Sequence, residues 1–142
     1  MVTAAQLLNV STNASQGFVV TIEQDQNLLS STGADIDGFA NGAYTNTPAA
    51  WSSPSATIGN EDTYGHWGIT SSDDLNGGEF SADLWVAAST THGKSSKNDG
   101  PADGVTDSVG STTVGFQIEV SSLQEAGDDY STTLTYIAAP TF

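Results

Sequence analysis

The sequence predicts an all-β protein: an antiparallel β-sandwich of the Ig-like or Greek-key kind, with two long irregular loops. Three observations lead there. Apolar and polar residues alternate with period 2 in several separate runs, the mark of half-buried strands. No window carries apolar residues at helical spacing without Gly, Pro or β-branched crowding. Clusters of Asn, Ser, Asp and Gly separate the alternating runs, as turns between strands do. The 142 residues suffice for one domain with a real core.

Taken in order, "QLLNVST" (Gln6–Thr12) and "GFVVTIEQ" (Gly17–Gln24) flank the turn-rich "NASQG" and read as a hairpin. Phe18, Val20 and Ile22 share its apolar face. The stretch from Gly33 to Asp62 is rich in turn formers and reads as a loop, pinned by Trp51 and Ile58. "TYGHWGIT" is a strand whose two glycines point to close backbone approach. "EFSADLWVAAS" is a further strand, after the "SSDDLNGG" turn. A second irregular stretch runs from Thr90 to Ser111. "TTVGFQIEVSS" alternates Val114, Phe116, Ile118 and Val120 against Thr113, Gly115, Gln117 and Glu119. "YSTTLTYIA" alternates in the same way, and the last two strands read as an antiparallel pair across "LQEAGDDY". At that corner Tyr130 is expected to fold its ring onto the end of the sandwich while its hydroxyl finds a backbone partner, as in Ig-like corners.

Charge narrows the function classes. Seventeen acids face two lysines, Lys94 and Lys97, giving a formal net charge of -15. Phosphate backbones and anionic membranes are repelled by such a chain, since both need Lys and Arg. No apolar run approaches the ~20 residues that a membrane-spanning helix requires. Cysteine is absent, so disulfides and thiolate chemistry are excluded. Polarity carried by Ser, Thr, Asn and Gly is the composition of a secreted or surface β-protein, and an extracellular or cell-surface location is expected.

The runs "STNASQGFVVTIEQDQNLLSSTGADIDGF", "EDTYGHWGIT" and "DGPADGVTDSVGSTTVGFQIEVSSLQEAGDDYSTTLTYIAAPTF" resemble a group of uncharacterised secreted β-sandwich surface proteins of environmental bacteria. The "LQEAGDDY…TLTYIAAPTF" ending is the most diagnostic and is similar to the last hairpin of pilin-like and surface domains. The resemblance implies a signal peptide and a further strand ahead of residue 1. Residues 1–142 then form a single β-sandwich domain lacking an N-terminal strand. It implies location and fold, and no catalytic residues.

Several constellations have two readings. Trp51, Tyr64, Trp67 and Trp85 suit a stacking platform for sugars or another ligand, or they fill the core. His66 and His92 are the only histidines and have no nucleophile or metal-ligand motif around them, so catalysis is not expected. Asp99, Asp103 and Asp107 in "NDGPADGVTD" lead the candidates for calcium, which takes six to eight oxygens from flexible loops. Asp35 and Asp37, Asp73 and Asp74, and Asp128 and Asp129 follow, and the plain alternative is solvated turn residues. Asn9 and Asn13 each head an N-x-S triplet, of the kind that arises by chance in a Ser-rich chain. Lys94 and Lys97 share one polar loop, which argues against an internal Lys–Asn crosslink.

The expected function is a non-enzymatic structural module of a surface layer or filament, joined to copies of itself or other surface proteins by strand pairing. The alternative is an adhesin-like or carbohydrate-binding module that uses exposed aromatics and calcium.

Overall fold

The computed structural model describes residues 1–15, 17–45, 47–72, 84–88, 97–98, 108–126 and 129–142, with backbone alone for 97–98 and 108–110. Among the described residues ten strands follow one another: β1 (Val2–Thr12), β2 (Phe18–Gln24), β3 (Leu28–Leu29), β4 (Asp35–Gly38), β5 (Ala49–Ala50), β6 (Gly65–Ser71), β7 (Leu84–Trp85), β8 (Lys97–Asn98), β9 (Ser108–Val120) and β10 (Leu134–Pro140). Among the described residues the only helical element is a 3-10 turn at Glu61–Thr63. The protein is all-β.

A five-stranded sheet ordered β1-β9-β6-β4-β3 curls into a half-barrel. It is mixed, because β4 and β6 run parallel (Asp37 beside His66, Gly38 beside Trp67) where an all-antiparallel arrangement was expected. β10, β2 and β8 form a three-stranded sheet. The two sheets meet where Leu29 and Ser131 exchange a pair of 3.0 Å backbone bonds. The half-barrel therefore continues through β3 to the strand that carries β10.

Two expected pairings are overturned. β1 and β2 do not form a hairpin: β1 pairs with β9 over eleven positions, Val2 with Ile118 through Thr12 with Ser108. β2 pairs with β10 and β8. The "NASQG" segment turns the chain through Ala14, which is buried, and Gly17, at a φ of 79° that favours glycine. That turn passes the chain from one sheet to the other instead of back along β1. Likewise β9 lies between β1 and β6, so β9 and β10 are not neighbours. Thirteen residues of β9, charged only at Glu119 near its end, give β1 and β6 a ladder on both sides, which a single hairpin partner would leave half used.

The first irregular stretch is more ordered than its composition suggests, since β4, β5 and the 3-10 turn all lie in it. "ADIDG" is strand, not loop. Trp51 packs as expected, but Ile58 is 87% exposed and pins nothing. Val120 is 47% exposed, although the alternation placed it inward.

One face of the curled sheet carries the core. Ile22, Ile36, Trp67, Ile69, Val86, Ala88 and Val114 pack together, flanked by Leu8, Phe116, Ile118, Leu134 and Tyr136. The expected Tyr130 corner is present: its hydroxyl donates to the Glu125 carbonyl at 2.5 Å. Replacing Tyr130 with Phe deletes that bond and the 3.4 Å bond that the hydroxyl accepts from Gln124 Nε2, and is expected to cost about 1 kcal/mol in urea unfolding.

Candidate functional site

The opposite face of the sheet is covered by a second, smaller layer, and the strand register explains it. On β6 and β9, His66 faces Glu119 and Gly68 faces Gln117. This side alternates with the core side occupied by Trp67 and Ile118. The chain after β4 folds back over it. A Cβ on Gly68 would stand 3.1 Å from Phe39 Cβ and 3.3 Å from the Trp51 ring, so glycine there lets the aromatics lie against the strand. The close approach expected from the glycines of "TYGHWGIT" is met.

Phe39, Trp51, His66 and Trp85 form the layer. Phe39 and Trp51 stack at 4.9 Å with 12° between their planes. His66 meets both edge-on, at 5.3 Å and 4.9 Å. Trp85 meets Trp51 at 5.4 Å and 75°. Glu119 anchors the layer: the Trp51 indole donates to one carboxylate oxygen at 2.7 Å and the Ser53 hydroxyl to the other at 2.9 Å. The indole bond, chiefly, lowers the Glu119 pKa below the ordinary carboxylate range.

His66 is fully buried and both its ring nitrogens are engaged. Nδ1 accepts from the Asn41 amide at 3.0 Å, which leaves the proton on Nε2, donated to the Ser52 carbonyl at 2.9 Å. Burial lowers its pKa from the ordinary value. Acquiring a second proton would set an N–H against the Asn41 N–H. This histidine is a bracket between two loop segments, with no nitrogen available for proton transfer.

That arrangement fixes a pH response. The unfolded chain takes up a proton on His66 near pH 6.5, while the folded chain resists until lower pH. The contribution of His66 to stability is therefore flat above that value and falls as pH drops below it. The slope is up to about 1.4 kcal/mol per pH unit. Urea unfolding of the wild type between pH 7.5 and 5.5 should show the fall; His66→Gln, less stable throughout, should lose it.

A second polar cluster lies at β3 and β4. Asn27 Nδ2 donates to Asp35 Oδ2 and to Asp37 Oδ1, both at 2.8 Å. The Tyr44 hydroxyl contacts Asn27 Oδ1 at 2.7 Å and Asp37 Oδ1 at 2.9 Å. Asp37 is 5% exposed, and burial raises its pKa. The Tyr44 hydroxyl is pushed up to about 12, chiefly by burial and then by its bond to Asp37. The carboxylates of "ADIDG" are thus tied to neutral donors of the chain itself. Beside them an open cleft of about 470 Å³ is lined by Asp35, Glu61, Tyr64, Gln124 and Glu125. Among the described residues no three ligand side chains converge on a metal position.

The residues singled out from the sequence are scattered. Trp51 and Trp85 meet in the outer layer. Trp67 lies on the opposite face of β6, 4% exposed within the core. Tyr64 precedes β6, half-buried, its hydroxyl accepting from the Gly59 amide at 2.9 Å. The four do not form one platform. Asp99, Asp103 and Asp107 lie outside the described residues, as do Asp73, Asp74, His92, Lys94 and Asp128.

Sequence reasoning missed Phe39, Asn41 and Glu119. Glu119 read as a solvated position on β9, and only the β6–β9 register brings it to His66. Comparison with known protein families, curated proteins and solved structures finds no match for this chain.

Proposed function

We propose that this chain is a non-enzymatic extracellular or cell-surface structural module, a subunit of a surface layer or filament whose copies join by strand pairing. The single observation carrying this reading is β1. It is an eleven-residue strand at the end of its sheet, and no described strand pairs with its outer edge. It holds no charge, no proline and no bulge, the devices that normally protect an edge from association. The Ig-like sandwich belongs to the same reading, supported by the Tyr130 corner and by the chain's passage between sheets after β1. The Ser, Thr and Asn-rich composition without cysteine supports the extracellular location. The test is amide hydrogen exchange at rising protein concentration. Amides on the open edge of β1 are expected to slow as copies associate. Exchange independent of concentration, with a monomer by size exclusion and electron microscopy, would remove the reading.

A second reading rests on the Trp51–Trp85 contact, where two half-buried indoles adjoin on the outer layer. A carbohydrate-binding module would stack a sugar ring there. It predicts a shift of indole fluorescence on titration with soluble glycans, and a flat titration across a glycan panel excludes it.

A further inference from the structure

We infer that two copies of this chain close on each other about a two-fold axis perpendicular to the strands. β1 then lies against β1 of the partner and β10 against β10 of the partner. This rests on the strand-pairing part of the reading above: it names the partner and makes the strand-paired unit a closed pair, so that a layer or filament would be built from such pairs through other faces.

Four observations carry it. First, the two sheets end in β1 and β10, and no described strand covers the outer edge of either. Second, both edges bound the same opening. Leu8 of β1 and Leu134 and Tyr136 of β10 flank one core, and the Tyr136 hydroxyl reaches Gln6 Oε1 at 3.1 Å. A second copy that meets one edge therefore stands beside the other.

Third, β1 and β10 run in the same direction. β10 is antiparallel to β3 through the Ser131 bridge, β3 to β4, β6 to β9 and β9 to β1, while β4 and β6 are parallel. A two-fold perpendicular to the strands reverses both edges of the partner together. Both new ladders are then antiparallel, the slightly more stable pairing. The contact is isologous and closed, the commonest symmetry of homo-oligomers.

Fourth, charge selects a second copy as the occupant. Each chain carries a net charge of -15, so two copies repel wherever their carboxylates meet. The first charged side chain in the sequence is Glu23 and the last is Asp129, so β1 and β10 are free of charge. The opening is where two such anions can touch without opposing carboxylates. Val2 and Ala4 pair with Ile118 and Phe116 on the core side of the sheet, yet are exposed, as is Ala138 on β10. A partner across the opening would cover them.

Sedimentation equilibrium across a concentration series tests this. The wild type is expected to saturate at twice the 14.6 kDa chain mass, more tightly at higher salt because the acidic flanks are screened. Leu7 (60% exposed) and Ile137 (39% exposed) tolerate polar replacement without touching the core. Leu7→Glu or Ile137→Glu should weaken the dimer at least about tenfold, and the double variant should be monomeric. Leu7→Thr, uncharged and strand-forming, should still dimerise. Open-ended polymers that Leu7→Glu abolishes would overturn the closed pair and leave strand pairing standing. Assembly unmoved by either carboxylate, or a wild type monomeric at every concentration, would sink both.

Discussion

Phe39→Ala is expected to cost about 3–5 kcal/mol of unfolding free energy, the range for deleting a buried aromatic ring. The ring is 1% exposed and joins three elements. It follows β4 directly, its amide donating to the Trp67 carbonyl at 2.8 Å, and its Cβ lies over Gly68 of β6. Its face supports Trp51 and its edge meets His66. Alanine would leave a void that the neighbours cannot collapse into, because Trp51 is tethered to Glu119 and His66 is held at both nitrogens. Urea unfolding with near-UV circular dichroism measures the loss and reports the freed indole. A cost near that of an exposed side chain, under about 0.5 kcal/mol, would mean that the outer layer is not part of the folded body.

Gln24→Met is expected to act in the opposite direction, stabilising the fold by about 1–3 kcal/mol. Gln24 is 1% exposed at the end of β2, and neither its amide nitrogen nor its amide oxygen has a hydrogen-bond partner. It lies on the same side of β2 as Phe18 and Ile22, so it is a polar group set into an apolar face. Both atoms lose water on folding and gain nothing in return. Methionine has nearly the same length and shape and removes both orphans. Thermal and urea unfolding decide the sign. A destabilised Met variant would mean that the amide is engaged in solution. Trp67 Nε1 is orphaned in the same way, which makes the core polar at two points that packing does not require.

The strands themselves were legible because period-2 alternation is a local property. Val114, Ile22 and Phe18 were assigned to the buried face from their neighbours alone, and they are buried or nearly so. Pairing was not legible. β1, β2, β9 and β10 are all neutral at their centres or nearly so and rich in Thr, Val, Leu and Ala, and any two of them make an acceptable ladder. The local turn signal at "NASQG" favoured the nearest partner, while the long ladder with β9 prevailed. The parallel contact of β4 with β6 had no signature, since "DIDG" is too short and too acidic to read as a strand. The outer layer was half visible: Trp51 was seen as a pin, but its acceptor lies 68 residues away on a strand whose partner was unknown.

The Tyr130 corner and the His66 bracket differ for the same reason. Tyr130 bonds five residues upstream, within reach of a sequence pattern. His66 takes its partners from 25 and 14 residues away, in segments without a period. Its role follows only once β6 and the chain on both sides of β5 are placed together.

The order in which the ladders can form has a consequence for biosynthesis. β1 waits for residues 108–118, and β2 for residues 97–98 and 134–140. A chain leaving the ribosome therefore exposes its first two strands until the distant segments that pair with them have emerged. Contacts this distant in sequence make assembly slow. Until then those two strands stay open, a state that a holdase can keep from premature self-association.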